Sequence, residues 1–317
     1  MDQPLLLRFH RIPVAKPWAG SRLSRLFPAL AADLPPGTGE SIEVADLPGQ
    51  SSVVAAGPCR DSTLAQLLSR RPQALLGELA PAVGFPLALK LLDTEQPLSV
   101  QVHPGDQPGR RGKAEAWLVL EAAPGAVVYQ GLKPGVTAAR FTAALPGGEP
   151  AALLNARPLQ TGDYLFNPAG MVHALGGGLC LLELQQNCGV TLRLWDFPRA
   201  GAPRDMQVQE GLATARWDLP LPPVLHPAGD MTLQEQGPFG VRFVDLREPV
   251  QIRRHWPGFT LLTCIQGALE LSARARDVLE PAVLQAGETV LAEAGFEAFE
   301  LFPRGAARLV LTWANAP

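Results

Sequence analysis

The chain has 317 residues, of which 47% are apolar and 18% charged, with a net charge of −3. This is a globular profile with material for a sizeable core in two domains or one elaborated domain, and it offers no broad basic field for nucleic acid or anionic lipid. The start "MDQPLLLRFHRIPVAKPW" has an acidic residue and only a short apolar run, so neither a signal peptide nor a membrane span is expected and the chain reads as cytoplasmic. Cys59, Cys180, Cys188 and Cys264 form no Cys-x-x-Cys pair and read as reduced, mostly buried thiols.

In chain order, residues 5–60 read as short extended segments broken by "PPGTG" and "LPGQ", with "ESIEVADL" alternating as a strand from Glu40. The stretch "DSTLAQLLSRRPQALLGELA" has leucines at three-to-four spacing. Pro72 interrupts it, so two short helices are predicted within a helical segment at about 61–83. From residue 85 to 194 the runs "FPLALKLLD", "LSVQVHP", "AEAWLVLEA", "AVVYQGL", "GDYLFNPAG", "LCLLELQQN" and "VTLRLWDF" follow one another between turn signals, the pattern of a sandwich or barrel. Among them "VTAARFTAALPGGEPAALLNARPLQ" is less extended and is expected to hold short helices.

Residues 218–230, "DLPLPPVLHPAGD", are proline-rich and fit a connector, and strand-like runs resume from 231. The segments "TGDYLFNPAGMVHAL" and "AGETVLAEAGFEAFE" share a Gly-acidic-strand-Ala-Gly frame, but the second carries no histidine. Two related sandwiches are expected, at 1–217 and 231–317, with one chemical site in the first.

That site is read from "LSVQVHPGDQPGRRGKAEAWLVLEA", residues 98–122. Residues i and i+2 of a strand share a face roughly 6.5–7 Å apart, so Gln101 and His103 can converge on one ion. The loop "PGDQPGRRG" is expected to return the chain to an antiparallel partner, placing Glu115 across from that pair with Lys113 on the same face. A buried carboxylate beside an imidazole is costly unless it is paired or bound to a cation, and His173 can complete the set. Taken singly these residues read as structural; together they point to a divalent ion. Such nitrogen and oxygen donors suit zinc, iron, manganese or nickel.

The ordered set "PLALKLLDTEQPLSVQVHP", "GKAEAW", "GDYLFNPAGMVHALGGG", "LLELQQN" and "TLRLWDF", with "AKPWAGSRL" and "GESIEV" nearer the start, resembles the type I phosphomannose isomerases over most of residues 5–210. The resemblance implies a mainly β fold of two cupin-type jelly-roll sandwiches, with a small helical segment in the amino-terminal half. It also implies a catalytic zinc ion and interconversion of mannose 6-phosphate with fructose 6-phosphate, the partner being a small sugar phosphate. The family's zinc ligands fall on Gln101, His103, Glu115 and His173, its lysine on Lys113, its acidic residue on Glu183 and its arginine on Arg193. Ser99 and Arg199 fall where family members have residues suited to the substrate phosphate.

The chemistry needs such groups, since moving hydrogen between C1 and C2 of an aldose and ketose requires a base, an acid and stabilised enediolate charge. Glu183 is expected as base, with Lys113 assisting and Arg193 stabilising charge or clamping phosphate. Departures are Gly105-Asp106, where many members carry Asp-Asp after His-Pro, and Ala19 in place of a usual glycine; both bear on sugar preference. An iron-dependent cupin oxygenase using His103, Glu115 and His173 is disfavoured by Gln101, which fills a fourth position. The remaining alternative is a non-catalytic sugar-phosphate-binding module. A monomer is expected, because two fused sandwiches bury much of each other's surface.

Overall fold

The runs of short strands close into two β-sandwiches. The computed structural model describes residues 3–80, 84–199, 203–275 and 278–316. In the first sandwich a seven-stranded sheet runs in spatial order Val224–Leu225, Tyr164–Asn167, Glu115–Ala122, Leu179–Gln186, Leu87–Thr94, Thr38–Val44 and Ile12–Ala15. It is accompanied by a five-stranded sheet ordered Leu154–Pro158, Val127–Leu132, His173–Leu175, Val100–Val102 and Leu192–Trp195. In the second sandwich the six-stranded sheet runs Leu6–Leu7, Thr289–Ala292, Thr260–Gln266, Ala307–Ala314, Phe239–Leu246 and Met231–Gln234. Its four-stranded companion runs Val250–Arg253, Ala298–Pro303, Ala268–Ala275 and Val278–Gln285. The strand order of one sandwich repeats that of the other, so the fold is mainly β and built from two cupin-type jelly rolls.

The central strands Leu87–Thr94 and Leu179–Gln186 are almost continuously buried, which is why "LALKLLDT" and "LCLLELQQ" read as apolar runs rather than alternations. The predicted pair of helices is present as Leu64–Arg70 and Pro72–Leu76. Thr63 and Gln66 form a reciprocal capping box on the first. Pro72 opens the second, at a position where its missing N–H is not needed. Their buried face, Leu64, Leu67, Leu75 and Leu76, joins a core with Leu89 of the first sandwich and Phe259 and Leu261 of the second. Each such leucine contributes about 1.5–3 kcal/mol by leaving water.

Residues 81–83, at the end of the expected helical segment, and 200–202, in the arginine-bearing loop, lie outside the described residues. A helix at Ala138–Ala144 matches expectation. The helix Val208–Thr214 was not legible in its loosely patterned segment; it is fixed by tertiary contact, where Gly211 lies so close to Leu194 that an added Cβ would stand 2.5 Å from Leu194 Cδ2. Two connections cross the expected boundaries: Leu6–Leu7 pairs with Leu291 and Ala292 of the second sandwich, and Val224–Leu225, inside the proline-rich stretch, edges the first. The four cysteines are free thiols, three of them buried. No helix among the described residues is long and apolar enough to cross a membrane.

The expected ladder between the Gln101 and Glu115 strands does not form. Both edges of Val100–Val102 are taken, by His173–Leu175 and by Leu192–Trp195, so the chain crosses to the other sheet before Glu115. Lys113 N donates to Pro104 O at 2.9 Å and fixes that crossing. The two polar pairs meet between the sheets, not along one ladder.

Candidate metal centre and active site

Strand register assembles the site in rows. In the five-stranded sheet Gln130, His173, Gln101 and Arg193 stand side by side on successive strands. In the seven-stranded sheet Asn167, Glu115 and Gln185 form one row, and Trp117, Glu183 and Lys90 form the next on the same face.

The first rows of the two sheets meet at Glu115. Its Oε1 lies 2.8 Å from His173 Nε2 and 3.4 Å from His103 Nε2, and Asn167 Nδ2 donates to the same oxygen at 3.3 Å. His103 donates Nδ1–H to Val190 O at 3.0 Å and His173 donates to Met171 O at 2.9 Å. A ring held by a carbonyl at Nδ1 presents its Nε2 lone pair as a ligand, and here both Nε2 atoms turn toward the carboxylate. Ligand atoms of His103, Glu115 and His173 all lie within 4.8 Å of one another. The Gln101 amide stands 3.4 and 3.3 Å from the two Nε2 atoms. Ser99 Oγ donates to Gln101 Oε1 at 3.0 Å, and because a hydroxyl both donates and accepts, the amide can turn by half a rotation and present its oxygen inward.

Burial, with Lys113 adding to it, pushes His103 down to about 3, so the ring is neutral. Burial opposes charge on Glu115 as well, but Lys113, His103 and His173 overcome it and hold the carboxyl well below the usual carboxylate range. Lys113 Nζ is 3.0 Å from Glu115 Oε2 and supplies that carboxylate with a cation. Neutral imidazole beside ionised carboxylate, with an amide as fourth donor and no thiolate, is a donor set that fits a divalent ion of zinc type.

A cavity of about 380 Å³ adjoins the centre, and Gln101, Lys113, Trp117 and Glu183 line it. Five cations, Lys16, Lys90, Lys113, Arg193 and Arg204, line it against two carboxylates, Glu40 and Glu183. An alternating chain runs along the wall. Lys16 Nζ is 3.1 Å from Glu40 Oε1, Lys90 Nζ is 3.5 Å from Glu40 Oε2 and 3.6 Å from Glu183 Oε2, and Trp117 Nε1 donates to Glu183 Oε1 at 3.1 Å. Burial would raise Glu40, yet Lys90 and Lys16 hold it down to about 2. Burial likewise disfavours charge on Lys90, but Glu40 and Glu183 push its pKa upward.

Of the residues singled out in the sequence, Gln101, His103, Lys113, Glu115 and His173 come together, and Glu183 and Arg193 line the adjoining cavity. Ser99 is 1% exposed and lies behind Gln101, outside the cavity lining. Arg199 donates to Pro97 O at 2.6 Å and to Asp196 at 2.8 Å and lines a neighbouring groove. Sequence reading missed Lys90, Glu40, Lys16, Asn167 and Arg204. A signal existed for Lys90: one ammonium inside "FPLALKLLD" needs a buried partner.

Residues 16–124 match the family described as phosphomannose isomerase type I, catalytic domain. A mannose-6-phosphate isomerase of Streptococcus mutans serotype c is 32% identical over 223 residues, 67% of this chain and 67% of that one. The crystal structure of the mannose 6-phosphate isomerase from Bacillus subtilis superposes with a TM-score of 0.82 at 23% identity, covering 98% of this chain and all of that one. A zinc-bound mannose 6-phosphate isomerase structure superposes at 0.74 and 18% identity, covering 98% and 99%. With two thirds of a relative matched at that identity, around the same strands that carry His103 and Glu115, the chain belongs to the type I phosphomannose isomerase family.

Proposed function

We propose that the chain interconverts mannose 6-phosphate and fructose 6-phosphate, with zinc held by Gln101, His103, Glu115 and His173 in a catalytic domain at 1–217. The convergence of two Nε2 atoms and one carboxylate within 4.8 Å carries this reading. The family relatives supply the reaction, and the donor set together with the zinc-bound neighbour of the same fold supports the ion. Zinc, when bound, supplies positive charge that stabilises oxygen charge on the enediolate or orients the substrate hydroxyls.

The chain's own groups handle the proton. Glu183, oriented by Trp117 and paired with Lys90, takes the proton from C2 and returns it to C1. Lys113 assists in proton handling at the substrate oxygens, and the Arg193 guanidinium stabilises developing negative charge. Trp117 and the leucines of the wall exclude water from the transferred proton.

A coupled assay for fructose 6-phosphate on protein purified without added metal, then with zinc restored, tests the activity. Zinc bound near one equivalent with turnover is expected; iron with oxygen consumption overturns the reading. Solvent-hydrogen exchange in Glu183→Gln and Lys113→Met tests the roles, and near-normal exchange in both removes the assignment.

A further inference from the structure

Cations crowd around one indole on the cavity wall. Arg204 Cζ lies 5.1 Å, Lys16 Nζ 5.3 Å and Arg199 Cζ 5.9 Å from the Trp18 ring centroid. Asp196 serves two of them, accepting from Arg204 Nε at 2.6 Å and from Arg199 Nη2 at 2.8 Å. The lysines of the cavity are matched to carboxylates, Lys16 and Lys90 to Glu40 and Lys113 to Glu115. Arg193 is not so served: its buried Nε has no acceptor, and Nε and Nη1 of Arg199, next to the same indole, have none either. Burial lowers the pKa of Arg193 and neighbouring Arg204 lowers it further, so two guanidiniums repel each other in one cavity. The indole N–H of Trp18, which lines the same cavity, is also buried without an acceptor.

Unmet donors and surplus positive charge therefore fall at one place. A phosphate monoester carries about −1.5 to −2 charge and three acceptor oxygens, which answers both deficits. We propose that Arg204, beside Arg193 and over the Trp18 indole, is a specificity residue that holds the phosphate of the substrate. The assignment rests on the sugar-phosphate isomerase reading above and moves the phosphate from Ser99 and Arg199 to the cavity itself. Arg199 is then a positioning residue, which fixes Asp196 and through it the plane of the Arg204 guanidinium.

The test is calorimetric titration of inorganic phosphate into the zinc-loaded protein, with steady-state kinetics on mannose 6-phosphate, for wild type, Arg204→Gln, Arg204→Lys and Ser99→Ala. Loss of one charge-assisted contact is expected to weaken phosphate binding about tenfold in Arg204→Gln and to raise KM in parallel, with kcat within about threefold. Arg204→Lys keeps the charge, guards against a folding defect and recovers part of the loss. Phosphate affinity and KM within about twofold of wild type in Arg204→Gln would overturn the proposal, as would a large loss in kcat with KM unchanged. Phosphate binding that depends on Arg204 in a protein without turnover leaves the subsite standing and removes the isomerase reading. Turnover that ignores Arg204 does the reverse.

Discussion

The two sandwiches share a scaffold and differ in what fills it. Each builds the same turn: Asp163 caps Gln160 N at 2.9 Å before Tyr164–Asn167, and Glu288 caps Gln285 N at 2.8 Å before Thr289–Ala292. From those turns the registers of the two larger sheets align, and Asn167, Trp117 and Glu183 of the first sandwich give way to Ala292, Leu262 and Leu311 in the second. Glu115 faces Asn167, while its counterpart Thr260 faces Ala292. Trp117 and Glu183 pair where Leu262 and Leu311 pair; in the smaller sheets the buried His173 faces Gln101, whereas Ala298, at the aligned sequence position, faces an exposed Arg253. The position of Lys113 becomes Gly258, where an added Cβ would lie 2.6 Å from Leu79 Cδ1. One scaffold therefore holds either a cluster of buried ionisable groups or a largely apolar interior, and the choice resides in a few side chains.

Copying the second sandwich into the first breaks the comparison most severely. His173→Ala and Glu115→Thr introduce the residues of the inert half. Each is expected to lower bound zinc to background and kcat/KM by about a thousandfold or more, the scale of the several kcal/mol that a metal supplies. Glu115→Thr also strands Lys113 in a buried site, at about 3–5 kcal/mol of stability, whereas His173→Ala leaves that ion pair intact. Metal analysis, turnover and urea unfolding separate the two effects. Retained zinc in both variants sinks the assignment of the centre.

The reverse experiment stays within the second sandwich. Leu262 and Leu311 are fully buried where Trp117 and Glu183 stand in the other half. Leu262→Ala or Leu311→Ala is expected to cost about 2–5 kcal/mol through lost burial and the cavity left behind, with kcat and KM unchanged at temperatures where the protein remains folded. A kinetic change as large as the stability change would mean that the second sandwich contributes to the chemistry.

What the sequence disclosed follows the same division. Strand density, the break at Pro72 and the echoed turn are local signals, and local signals are legible. The candidate metal ligands and Lys113 were legible only as a set, from the two-residue spacing of Gln101 with His103 and of Lys113 with Glu115 and from the family resemblance that adds His173. Strand partners were not: Val100–Val102 has three residues, too few to encode which edges it occupies, and its register is set by strands more than 70 residues away. Arg204 stayed hidden because its role depends on Trp18, far away in the chain and brought near only by the fold.

The ion chain on the cavity wall of the first sandwich gives a smaller, pH-dependent contrast. Glu40 is held at about 2 in the folded protein, against 4.5 ordinarily. Its folded value is depressed, so its stabilisation is complete above pH 4.5 and is lost as pH falls from 4.5 toward 2. The contribution is about 3 kcal/mol at neutral pH. Glu40→Gln is expected to lower stability by about that amount at pH 7 and to converge on wild type near pH 2, measured by urea unfolding across the window. An equal gap at both ends would show that Glu40 acts by packing instead of charge.

The smallest expected effect tests the repeat itself. Because the two turns are built alike, Asp163→Ala and Glu288→Ala each remove one carboxylate-to-backbone hydrogen bond, about 1 kcal/mol, with turnover unaffected. Asp163 is 2% exposed and also binds His226 Nδ1 at 2.6 Å, so its loss is the larger; Glu288 is partly solvated and has Arg8 beside it. Thermal unfolding of the two variants in parallel reads the difference. If Glu288→Ala costs nothing while Asp163→Ala costs several kcal/mol, the shared turn is a likeness of shape alone, and the caps are not equivalent supports in the two halves.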